Sequence, residues 1–117
     1  MYYHQPKNTY ISMLNSSLTG LFKIVYSNEA NSIELPNTTN PLTVYTTEES
    51  GLYLINWSGH STTLPKILYI SNKEYDISAV GSEVVVASIN AGTPIKLALN
   101  GNKGNVIRHK LTILKLG

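Results

Sequence analysis

The sequence predicts a single all-β domain, and three observations carry that reading. Apolar residues recur with a period of two, and they are mostly β-branched or aromatic. Gly, Asn and Pro punctuate the chain at close intervals, leaving pieces about the length of strands. At 117 residues the chain has the length of one domain, able to bury roughly two-thirds of its unfolded surface.

Strands are expected at Thr9–Leu14, Leu21–Ser27, Ser32–Leu35, Leu42–Thr46 and Leu52–Ser58, and then at Lys66–Ser71, Glu74–Ile77, Glu83–Ile89, Pro94–Leu99 and Val106–Leu116. Ten short strands without helical periods point to a sandwich or barrel. The stretch Asn28–Asn40 reads as a surface excursion with one short edge strand, which Pro36 would end. Residues 1–117 form one domain in this reading, with residues 1–8 as an extended N-terminal arm.

Strand faces follow from the alternation. In Ile95-Lys-Leu-Ala-Leu99 the residues Ile95, Leu97 and Leu99 face a core, leaving Lys96 and Ala98 toward solvent. Leu52–Trp57 is apolar on both faces, with Leu52 and Leu54 on one and Tyr53, Ile55 and Trp57 on the other. Leu111–Leu116 is two-sided as well. A two-sided strand needs a second layer or a second subunit to cover it.

Composition narrows the chemistry. Only 14% of residues are charged, against about a quarter in an ordinary soluble domain. Asn, Ser and Thr supply the polarity instead, and these are cheaper to desolvate against a partner than ions. A net charge of +2 spread along the chain leaves no nucleic-acid footprint. No apolar run approaches the ~18 residues that span a bilayer, so no membrane partner is expected. With no cysteine, neither a disulfide nor a thiolate metal site is available.

A catalytic constellation is not legible. His4, His60 and His109 are far apart in sequence and show no metal-ligand spacing. His109 is expected as a surface histidine on the last strand, or, more narrowly, near a three-fold axis. Gly59-His60-Ser61 sets a histidine beside a serine, but neighbours on a strand point to opposite faces. The Gly-x-Ser-x-Gly elbow is absent. Glu34, Glu74, Asp76 and Glu83 lack the dense spacing of a calcium loop. No metal and no cofactor is therefore expected. Eight tyrosines stand against one Trp and one Phe, which suits interfaces and carbohydrate platforms. Tyr2, Tyr3 and Tyr10 are the candidate surface contacts.

Several segments, read in order, resemble the globular head of complement-type proteins in the tumour-necrosis-factor-like superfamily. Gly51-Leu-Tyr-Leu-Ile-Asn-Trp-Ser58 is similar to that family's Gly-x-Tyr-x-(apolar)-x-(aromatic) strand. Leu42–Ser50, Ile67–Tyr75, Val84–Leu97 and Leu111–Leu116 resemble the neighbouring strands over about residues 42–117. Thr93-Pro94 departs from the family's usual Asp at the turn that joins the penultimate pair. The resemblance implies a ten-stranded jelly-roll β-sandwich forming a homotrimer, with Val44, Tyr53, Ile55, Trp57, Ile113 and Leu114 at the trimer interface or in the core. It implies a non-enzymatic structural or recognition module on a phage virion, as a capsid decoration or fibre head, beside other virion or surface proteins. The alternatives are a head domain that binds a glycan or receptor, or a spore-surface head released from its stalk.

Overall fold

A computed structural model describes residues 22–62 and 64–117. Its strands are β1 (Lys23–Leu35), β2 (Leu42–Thr46), β3 (Gly51–Ser61), β4 (Lys66–Ile70), β5 (Lys73–Ile77), β6 (Ser82–Ile89), β7 (Pro94–Leu99) and β8 (Gly104–Lys115). They form two four-stranded antiparallel sheets: sheet I in the order β1-β8-β3-β6 and sheet II in the order β2-β7-β4-β5.

That order has a simple origin. First pairs with last, second with seventh, third with sixth, and fourth with fifth. The described chain is thus one long hairpin, bent at Ser71-Asn72, whose arms roll over so that paired strands fall alternately in sheets I and II. Ser71 adopts the left-handed conformation (φ 56°) that a tight turn requires.

Eight strands therefore stand among the described residues where the sequence reading counts ten. The strand expected over Thr9–Leu14 and the arm over residues 1–8 lie outside the described residues. The two strands expected within residues 21–35 are one, β1. Asn28–Asn31 continues the strand despite its polarity, because β8 is long enough to pair with it through Asn28–Leu111, Glu29–Lys110 and Ala30–His109. The excursion itself is confined to residues 36–41. There the Asn37 side chain accepts a hydrogen bond from the Thr39 amide at 3.1 Å, forming an Asx turn.

The core lies between the sheets. Tyr53, Ile55 and Trp57 of β3, with Val106, Leu111 and Ile113 of β8, pack against Leu68, Ile70, Ile95, Leu97 and Leu99 of sheet II. Ala98, read as solvent-facing, is also buried, as is its cross-strand neighbour Ile67. Alternation tells which face a residue takes but not whether that face is covered.

Two loop contacts set the ends of β3. Thr47 is buried; its hydroxyl donates to the Asn90 carbonyl (2.7 Å) and accepts from the Thr93 amide (2.9 Å), tying the β2–β3 loop to the β6–β7 turn. Gly51 opens β3 where the Gly117 carbonyl passes so close that a Cβ would overlap its oxygen. Here the glycine serves close approach of two backbones.

Candidate assembly surface

The functional question turns on the outer face of sheet I. Strand register places Ile24, Leu114, Leu54 and Val86 in one row across β1, β8, β3 and β6. Leu52 flanks this row on β3 and Val84 flanks it on β6. Ile24 is 64% exposed, Val86 54%, Val84 52% and Leu52 42%, while Leu54 and Leu114 are half-buried. The next row, Ser27, Thr112, Asn56 and Val84, is mixed. The row of Glu29, Lys110, Ser58 and Ser82 is polar. An apolar band thus occupies one end of the face and a polar one the other. Large apolar side chains contiguous across four strands differ from the scattered exposed residues of an ordinary surface.

The expected interface-or-core residues divide by strand parity. Tyr53, Ile55, Trp57 and Ile113 lie in the core, each no more than 1% exposed within a single chain. They hold the two sheets together and cannot also meet a partner, so a charge placed at Trp57 or Ile113 acts on folding. Val44 is half-buried and packs against the core from β2. Leu114 alone of the six faces outward with the apolar band. Leu54, Val84, Val86 and Ile24 belong to that band and were not singled out from the sequence. For Leu54 the signal was present, since it shares Leu52's face on a two-sided strand. Tyr2, Tyr3 and Tyr10 lie outside the described residues. The five described tyrosines, Tyr26, Tyr45, Tyr53, Tyr69 and Tyr75, are all in strands and half-buried or more.

His109 is not at the surface: it is 1% exposed and turned into the core. It shares the parity of Leu111 and Ile113 on β8, and a β-bulge lies just before it. Arg108 has φ 53°, and the pairing of β3 with β8 slips between Ser58 and His60. Ile107 and Arg108 consequently both face outward, so it is Val106, not Ile107, that continues the inward row of His109, Leu111 and Ile113. The Nδ1 atom of His109 accepts a hydrogen bond from Trp57 Nε1 at 3.1 Å. Burial holds the imidazole below its usual pKa of 6.5. Close by, Lys66 is fully buried and donates to the carbonyls of Gly59, Ala79 (3.3 Å) and Gly81 (2.6 Å). Desolvation pushes its pKa down. Three backbone carbonyls satisfy the ammonium where a carboxylate would be usual, and they fasten the end of β3 to the β5–β6 loop.

At the edge of the sandwich a cleft of about 410 Å³ is lined by Lys23, Tyr45, Glu48, Glu49, Tyr53 and Lys115. In it Tyr53 donates to the Glu49 carbonyl, and both Tyr45 and Tyr53 are raised in pKa by burial first and neighbouring glutamates second. Among the described residues no three His, Cys, Asp or Glu side chains converge as metal ligands, and no helix is long and apolar enough to cross a membrane. His60 is exposed on β3, away from the buried His109.

Likeness to known proteins lies in the fold. A solved structure described as Bacillus endospore appendages, a novel family of disulfide-linked pili, matches with a TM-score of 0.50. The match covers 81% of this chain and 89% of that one at 10% sequence identity. The all-β fold is therefore shared with a protein of Bacillus endospore appendages, while the sequences have little in common. No protein-family model matches the chain, and no curated protein does.

Proposed function

We propose that this chain is a non-enzymatic structural module of a bacterial spore or cell surface, folded as a jelly roll of the tumour-necrosis-factor type and assembling as a homotrimer through the outer face of sheet I. The observation that carries the reading is the apolar band of Ile24, Leu54, Val86 and Leu114, in which Ile24 and Val86 are more than half exposed and no described strand packs over the row. The rolled pairing of first strand with last supports the jelly roll, whose two sheets are built from Greek-key connections. The likeness to a spore-appendage subunit supports the surface setting.

The chain has no cysteine, so its copies cannot be joined by disulfides as that neighbour's pili are. Packing must hold them, and the apolar band supplies the area. The same absence of disulfides suits a virion-surface decoration or fibre head, which is the second setting. A glycan- or receptor-binding head draws less support, since the described tyrosines are spent in the strands.

Sedimentation equilibrium of the purified chain tests the reading. A mass of three times 12.9 kDa at micromolar concentration is expected. A monomer throughout that range refutes assembly by this face.

A further inference from the structure

We propose that the buried Trp57–His109 pair is an acid-sensitive latch between β3 and β8, closed while the imidazole is neutral and opened when it takes up a proton. An indole N–H can only donate, so the 3.1 Å contact obliges Nδ1 of His109 to accept and places the ring hydrogen on Nε2. Nε2 is itself buried and has no hydrogen-bond partner among the described residues. An incoming proton has one site, Nδ1, and occupying it sets N–H against N–H. Trp57 is 0% exposed and His109 1%, so water cannot stand in for the lost acceptor without the strands parting.

The surroundings offer the imidazolium little relief. The charged group buried at this end is the Lys66 ammonium of β4, 5.7 Å from the centre of the Trp57 ring, its hydrogens already engaged by three carbonyls. Glu29 on β1, His60 on β3, Glu83 on β6 and Arg108 and Lys110 on β8 are all exposed to solvent. Among the described residues none forms an ion pair with His109. The latch also sits beside the register slip between Ser58 and His60, where the β3–β8 ladder is already interrupted. Parting would therefore begin there, in the two central strands of sheet I. That acid also releases the assembled form rests on the proposed function; the latch itself does not.

Trp57 is the chain's one tryptophan, so its emission reports the latch directly. Wild type, His109→Gln and His60→Gln are titrated from pH 8 to pH 4. In His109→Gln the introduced amide oxygen can accept from the indole, and the side chain carries no charge at any of these pH values. Wild type and His60→Gln are expected to show a red shift with a midpoint below pH 6.5, and His109→Gln to lose that transition. Emission of the wild type unchanged to pH 4, or an equal transition in His109→Gln, overturns the latch. Should His109→Gln fail to fold, NMR of the wild type decides: the Trp57 indole N–H resonance must move with protonation of His109, and an unmoved resonance refutes the proposal. Sedimentation along the same titration separates the two readings. A monomer at every pH sinks the assembly reading, while an emission change in that monomer still supports the latch.

Discussion

Placing a carboxylate in the middle of the apolar band, as Val86→Asp, should separate the chains while leaving each one folded. Val86 is 54% exposed in a single chain, so its side chain is already largely in water. Replacing it there costs the monomer little beyond strand propensity, up to about 1 kcal/mol. In an assembly through this face, Val86 sits beside Leu54 and, one strand further, Leu114, neither of which can pair a carboxylate. Burying an unpaired charge costs several kcal/mol. At about 4 kcal/mol per interface, and about 1.4 kcal/mol per tenfold, dissociation constants rise by roughly three orders of magnitude. Sedimentation velocity over a concentration series reads the shift, and urea unfolding of the dilute protein checks the fold. Ser82→Asp, on the same strand at the polar end, is the control and should assemble like wild type. If Val86→Asp associates as tightly as wild type, the face is not an interface.

Further expectations concern the single chain. Ile55→Ala removes a fully buried side chain between the sheets and should lower unfolding free energy by about 2–5 kcal/mol in urea titrations. Thr47→Val keeps the shape but strands the Thr93 amide, costing about 1–3 kcal/mol by the same assay, while the Asn90 carbonyl keeps the Thr93 hydroxyl as donor. For pH, burial depresses His109 in the folded state, so the unfolded chain binds the proton first as pH falls. This group's effect on stability is constant above about pH 6.5 and grows more unfavourable below it, at no more than about 1.4 kcal/mol per pH unit. Thermal unfolding at stepped pH should show that loss in wild type and a shallower one in His109→Gln.

Much of the fold was legible because strand formation and side-chain alternation are local. Leu42–Thr46 and Pro94–Leu99 are strands with the expected bounds, and Leu52 and Leu54 do face away from Tyr53, Ile55 and Trp57. That β3 and β8 are apolar on both sides could likewise be read from the letters, and with it the need for cover. Three things came only with the tertiary structure. Asn28–Asn31 is strand because β8 supplies partners for its backbone, which no property of those polar side chains foretells. Val106 faces inward and Ile107 outward because the bulge at Ile107–Arg108 breaks the parity that His109, Leu111 and Ile113 share, and nothing in that sequence marks where a two-residue period will slip. Finally, of the two apolar faces of β3, one is sealed by sheet II and the other stays open on the chain's surface. Alternation is a property of the backbone at each residue, whereas burial depends on which distant strand arrives to cover it.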